Sequence, residues 1–245
     1  MITKFQIELG LPEHLRTNQI GSVLHGVLME LLPSDIVKEL HNMYSYNPLK
    51  QRVLFSESTY VNWEIVSFNE LISESLSTIF HEQSSIYIKH HDVIVPIREV
   101  SQHKENLQSM IDRYFSDEEP ERYVTIQIVT PMSFKSGGRY DLFPDVRKFF
   151  RSIMLQFDTF FDSYKMYDHD TLLFISEQVH IVNYRLKSTR YHLEGIKIPS
   201  FTGQITFQLN GPNHFKQLLL FLLYFGSLTG SGIKTSLGMG KYILI

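Results

Sequence analysis

Residues 226–245 read GSLTGSGIKTSLGMGKYILI. Gly226, Gly230, Gly232, Gly238 and Gly240 are five of the thirteen glycines in the chain, crowded into fifteen positions directly after the apolar run Phe215 to Phe225. Glycine is costly to order and is used where φ must be positive or where another backbone must come close. Such a loop can turn several N–H groups toward an anion, and Lys234 puts a charge at its centre. The expected anion is a phosphate; the plainer alternative is a turn before a last strand.

Common nucleotide-binding patterns do not fit. A P-loop needs G-x-x-x-x-G-K-[ST] between a strand and a helix. Here Lys234 follows Ile233, and the glycines come after a helix and before a strand. G-x-G-x-x-G fails because Thr235 stands at the third glycine. What remains is G-x-G-x-x-x-x-x-G-x-G, from Gly230 to Gly240.

Working outward, 245 residues suffice for one large domain or two small ones, and 43% hydrophobic content supplies their cores. There are no cysteines, which excludes disulfides and thiolate zinc sites and suits a reducing cytoplasm. MITKFQIELG lacks signal-peptide architecture, and Phe215 to Phe225 is too short to span a bilayer. A cytoplasmic protein without membrane contact is expected. Net charge is −3, but residues 121–245 carry 14 Lys and Arg against 9 Asp and Glu, while residues 1–120 carry 9 against 17. A second half at +5 beside a first half at −8 suggests that the second half holds a polyanion.

In the first half, Phe5, Ile7 and Leu9 alternate as a strand. Thr17 or Asn18 is placed to cap a helix running to Leu32, and Ser34 or Asp35 a second helix to about His41. Arg52 to Phe55 and Asn62 to Ser67 read as a hairpin, Asn69 to Phe80 as a helix, and Ser85 to His90 and Asp92 to Val100 as strands. Residues 101–121 read as a helix plus linker. Beyond it come a strand at Tyr123 to Thr130, a Gly137-Gly138 turn and a helix from about Pro144 to Tyr164. Strands at Val179 to Leu193 and Lys197 to Leu209, a helix from Pro212 to Phe225 and a last strand from Lys241 complete the chain. Each half has βαββαβ order. The prediction is an α+β chain of tandem ferredoxin-like, RRM-like domains, 1–100 and 122–245 around linker 101–121, with a C-terminal glycine-rich loop.

Of eleven histidines, His90, His91 and His103 lie in polar surroundings, and His169 reads as a loop residue. No H-E-x-x-H or tight cluster of histidine and carboxylate is present, so neither a metal site nor a cofactor is expected. The segment containing Leu24-His25-Gly26, Leu40-His41 and Asn47-Pro48-Leu49-Lys50 is different. A helical hairpin can bring His25, His41 and Lys50, the last in a turn fixed by Pro48, to one mouth. The rival reading is a core His25 and a His41 favoured at its helix end by the dipole.

The glycine pattern and this segment together resemble the CRISPR-associated RAMP superfamily of RNA-binding proteins, and within it the endoribonucleases that process CRISPR repeats. The resemblance covers nearly the whole length and is nearest to type III systems. It implies metal-independent cleavage of precursor CRISPR RNA within its repeats. The ribose 2′-OH would attack the adjacent phosphorus, leaving a 2′,3′-cyclic phosphate and a 5′-OH. His41 would be general base or acid, His25 its complement, and Lys50 the electrostatic stabiliser of the transition state. Which histidine takes which role stays open.

The second half offers cations for RNA. Arg147, Lys148 and Arg151 share about one and a half turns of the helix from Pro144, and Arg139 precedes it beside the Gly-Gly turn. Arg185, Lys187 and Arg190 lie on one strand, with Tyr184 and Tyr191 available for base stacking. With Gly230, Gly232, Lys234, Gly238 and Gly240 they form the expected RNA-binding set. Phe149, Phe150, Phe157, Phe160 and Phe161 read as core. The expected partner is CRISPR repeat RNA rather than DNA, with other effector-complex subunits as further partners. The rival functions are a non-catalytic RNA-binding subunit of an effector complex, and a nucleotide-binding regulatory domain.

Overall fold

Strand β1 (Ile2–Leu9) alternates as expected, with Phe5, Ile7 and Leu9 buried and Lys4, Gln6 and Glu8 on its other face. This is a computed structural model; it describes residues 1–17, 19–42, 45–55, 60–193 and 195–245. Helix α1 (Ile20–Leu31) buries Ile20, Leu24, Val27 and Leu28, the spacing of one helical face. It stops at Leu32, which is extended because Pro33 follows. Its N-cap is Gln19, not Thr17, whose hydroxyl accepts from the Gln19 N–H instead; Asn18 lies outside the described residues. Helix α2 (Ser34–Asn42), strands β2 (Leu49–Phe55) and β3 (Val61–Ser67), helix α3 (Glu70–Glu82), and strands β4 (Ser85–Ile88) and β5 (Val93–Glu105) follow.

The sheet order is β2-β3-β1-β5-β4, antiparallel throughout. Without the edge strand β4, the four strands keep the ferredoxin-like order, the first and third side by side at the centre. The helices share one face. There Trp63, fully buried, meets Phe80 of α3 edge-on at 5.9 Å. Its indole N–H donates to Gln51 Oε1 at 2.9 Å, and Gln51 Nε2 donates to the Gly21 carbonyl of α1 at 2.9 Å. This relay ties α1, which carries His25, to strand β2.

The chain divides into two compact units: residues 1–105 with 192–196 and 236–238, and residues 106–191 with 197–235 and 239–245. The second holds α4 (Leu107–Phe115), β6 (Tyr123–Met132), the short hairpin β7 (Phe134–Ser136) and β8 (Arg139–Asp141), and α5 (Val146–Phe160). Then come α6 (His169–Gln178), β9 (Val179–Leu193) as far as Tyr191, β10 (Ile196–Leu209) from Lys197, α7 (Asn213–Thr229) and β11 (Tyr242–Leu244). Its sheet, β11-β6-β10-β9, repeats the same order. Phe149, Phe150 and Phe157 of α5 are buried, as expected, with Phe149 5.5 Å from Phe207 and 5.3 Å from Tyr242.

Three elements differ from the reading. Residues 101–105 prolong β5, because β1 supplies a pairing edge as far as Ile2↔Glu105. His169 opens helix α6 rather than sitting in a loop, since Asp168 caps it by accepting the Thr171 N–H at 2.8 Å. Lys50 lies within β2, paired with Val66, not in a turn. Among the described residues, no helix is long and apolar enough to cross a membrane.

Candidate active site and basic surface

His25 projects from the middle of α1, and His41 from the last turn of α2. His41 is exposed, while His25 is partly covered and its Nδ1 is buried without a hydrogen-bond partner among the described residues. Burial, and then the charge of His41, lower the His25 pKa to about 4. The structure thus brings the two imidazoles into electrostatic contact, one recessed and one open. At neutral pH the recessed ring is uncharged and offers a nitrogen lone pair. That is the state a proton acceptor needs.

Lys50 is placed differently. Its neighbour Gln51 reaches α1, so strand alternation directs Lys50 to the opposite face of the sheet. Lys50 is only 1% exposed there, and burial followed by the charge of Arg52 lowers its pKa well below the usual lysine value. On this face Glu64 accepts from Arg52 Nε at 2.6 Å and pairs with Lys4 Nζ at 3.1 Å. Of the three residues expected at one mouth, the two histidines interact electrostatically, and the lysine lies on the far side of β2. The Arg52–Glu64 pair went unread, although Arg52 stands opposite Glu64 in the β2–β3 register.

In the second unit the predicted cations separate into free and engaged groups. Arg139, Arg147, Arg185, Lys187 and Arg190 are exposed and have no ion-pair partner among the described residues. Lys148 is engaged: its Nζ lies 2.8 Å from Asp141 and 3.9 Å from Asp145. Hydrogen bonding to Asp141 raises its pKa. Arg151 is exposed and lies over the Tyr167 ring at 5.7 Å. Tyr184 is 56% exposed, but Tyr191 is 4% exposed, and burial pushes its hydroxyl pKa to about 12. Tyr191 is therefore a core residue and not a stacking one.

The glycine-rich segment uses its amides inside the protein. The N–H groups of Gly230, Ser231, Gly232 and Ile233 donate to Gly226 O, Gly240 O, Ser152 Oγ and Ser133 O. Those of Met239, Gly240 and Lys241 donate to Lys234 O, Pro131 O and Thr130 Oγ1. These seven amides are not offered to an anion, which corrects the cradle reading for Gly230, Gly232 and Gly240. The glycines are needed for another reason. Each has positive φ, and a Cβ at Gly232 or Gly240 would collide with the Ser133 or Ser231 carbonyl. Gly238 also has positive φ, at 105°. The one exposed cation of the segment is Lys234, itself at φ 55°, a left-handed conformation unusual for a side chain with a Cβ.

Comparison with known proteins places this geometry in context. A family profile described as CRISPR-associated endoribonuclease Cas6 matches residues 126–242. A protein of that description from Streptococcus thermophilus is 33% identical over 228 residues, spanning 88% of this chain and 87% of the relative. One from Mycobacterium tuberculosis is 28% identical over 229 residues, spanning 93% of this chain and 72% of the relative. Among solved structures, a Cas6 product complex superposes with a TM-score of 0.80 at 18% identity over the full length of both chains. Cas6 of Thermus thermophilus gives 0.74 at 16% identity, over all of this chain and 98% of the other. These structures share the tandem fold.

Proposed function

The chain belongs to the CRISPR-associated endoribonuclease Cas6 family, and from that premise we propose that it cuts precursor CRISPR RNA within its repeats by acid–base chemistry at His25 and His41. The observation that carries the residue assignment is the recessed, uncharged His25 beside the exposed His41. The 2′-oxygen bonds to the adjacent phosphorus as the bond from phosphorus to the 5′-oxygen breaks. The 2′-OH proton passes to His25, and His41 protonates the leaving 5′-oxygen. An arriving phosphate favours a charged imidazole, so it raises the basicity that burial has removed from His25. The products are a 2′,3′-cyclic phosphate and a 5′-OH. No step requires a metal ion or a cofactor.

Lys50 is left out of this proposal: it is 1% exposed on the face of the sheet opposite α1, away from a phosphate held between His25 and His41. Arg139, Arg147, Arg151, Arg185, Lys187, Arg190 and Lys234 are the proposed RNA contacts. Gly230, Gly232, Gly238 and Gly240 hold the loop that presents Lys234. Lys148 supports the surface from within through its two aspartates.

The deciding experiment is single-turnover cleavage of a labelled repeat RNA from the same locus in excess EDTA, with end-group analysis. Cleavage with a cyclic-phosphate end is expected, and none on a repeat with a 2′-deoxyribose immediately 5′ of the cut. Activity that needs Mg²⁺ would overturn the mechanism. Binding without any cleavage would favour a non-catalytic subunit.

A further inference from the structure

Phe143 and Tyr184 are 58% and 56% exposed, yet their rings touch at 5.6 Å between centroids and 83° between planes. Single exposed apolar residues are ordinary on a protein surface. Two large rings in contact, from a loop and a distant strand, are not two such accidents. In an edge-to-face pair one ring presents only its rim to the other, so ring faces stay open to solvent.

Both rings are held in place. Phe143 lies between Asp141 and Asp145. Asp141 is paired opposite Phe134 in the β7–β8 hairpin and takes Lys148 Nζ at 2.8 Å. The Asp145 side chain caps α5 by accepting the Lys148 N–H at 2.8 Å. The loop is thus pinned on both sides of the ring through one lysine. Tyr184 stands on β9, where β10 comes so close that a Cβ at Gly203 would strike the Arg185 carbonyl. Side chains fixed before binding lose little entropy when a partner arrives.

Exposed cations lie close to both rings along the chain. On β9 Arg185 and Lys187 alternate with Tyr184 and so take the other face of the strand. Arg139 and Arg147 flank Phe143 four residues away on either side, and all four side chains are exposed. Open aromatic faces on segments that also carry exposed cations, unpaired among the described residues, suit a nucleobase whose strand those cations can hold. They do not suit an apolar protein patch, which would leave those charges desolvated.

We propose that Phe143 and Tyr184 form a stacking ledge for an unpaired base of the bound RNA. The proposal rests on the RNA-processing reading and adds a subsite to it. The test is an abasic scan of the repeat RNA, one position at a time. Affinity is measured for the unaltered protein, for the double variant F143L/Y184L, and for F143Y/Y184F, which keeps both rings. One or two abasic positions should weaken binding to the unaltered protein by roughly 5- to 150-fold, the measured worth of a base–aromatic stack. F143L/Y184L should bind intact RNA that much more weakly and become indifferent to those positions. F143Y/Y184F should behave like the unaltered protein. If the double variant does not fold, Y184L alone should show the same loss of sensitivity.

Equal abasic profiles in the unaltered protein and a folded leucine variant would overturn the ledge while leaving the RNA reading intact. An unaltered protein that neither binds nor cuts the repeat would overturn the functional reading and the ledge with it. A leucine variant that changes sedimentation while keeping its RNA affinity would overturn the ledge and assign the rings to protein contact.

Discussion

His25 and His41 are coupled across two helices: the exposed imidazole of one adds to the burial that holds the other at a pKa of about 4. The arrangement gives the pair unequal tasks. The recessed ring is uncharged at neutral pH, and its Nδ1 has no hydrogen-bond partner among the described residues. The open ring at the end of α2 is free to meet a polyanion. Replacing His41 by alanine should lower the single-turnover cleavage rate at least roughly 10²-fold, the lower range for a positioned acid or base. Affinity for the repeat should change little, because the free cations lie on the other unit. A folded His41→Ala protein cutting at the original rate would refute the assignment.

His25 should also set a pH dependence of stability. Its pKa is lowered on folding, from 6.5 to about 4. Between those values the unfolded chain binds the extra proton and the folded chain resists it. Stability should therefore be full above pH 6.5 and fall as pH drops through this window, by at most about 3 kcal/mol. Urea melts of His25→Gln at pH 7.5 and 5 should show a smaller loss between the two conditions than the unaltered protein. An identical pH slope in both would show that His25 is not the group responsible.

The glycine-rich segment should separate charge from conformation. Lys234→Gly removes the cation while relieving a left-handed backbone, so the melting temperature should hold or rise. RNA affinity should fall, and the salt slope of binding should shrink by about one ion. Gly240→Ala should instead destabilise the fold, since the added Cβ meets the Ser231 carbonyl. A Lys234→Gly variant with unchanged affinity and salt slope would make the segment purely structural.

On α5, neighbouring cations should behave oppositely. Arg147→Ala should weaken RNA binding and leave stability alone. Lys148→Ala should lose its bonds to Asp141 and Asp145, at about 1 kcal/mol or less for so exposed a pair. Filter binding and thermal melts on both variants decide the matter. Equal losses of affinity would show that Lys148 is released to the RNA on binding.

Gln51 should matter for catalysis through position alone. Gln51→Leu removes both bonds of the relay from Trp63 to α1 and leaves the Trp63 N–H buried without an acceptor, costing about 1–3 kcal/mol. The cleavage rate should fall while RNA affinity stays near its original value, because α1 carries His25. A rate unchanged in the folded variant would show that α1 holds its place without the relay.

Much of this was legible in the residues themselves. Alternation at Phe5, Ile7 and Leu9, the helical stripe from Ile20 to Leu28 and the glycine spacing from Gly230 to Gly240 are local patterns. Periodicity and backbone permissiveness act over a few neighbouring residues, so they determine element order and the duplicated βαββαβ arrangement. Leu40-His41 at a helix end was readable for the same reason.

What the tertiary structure alone decided concerns the partners of each polar group. Lys148 and Arg147 are adjacent cations on one helix, and Asp141 of β8 engages the first, while the second has no ion-pair partner among the described residues. Lys50 looked like a turn residue until β3 paired with it and strand parity turned it away from α1. The glycine amides looked open to an anion until Ser133, Ser152 and Pro131 occupied them. Phe143 and Tyr184 lie 41 positions apart and meet only in the fold. A hydrogen bond or ion pair depends on which distant chain segments arrive within a few ångströms, and no local pattern carries that information.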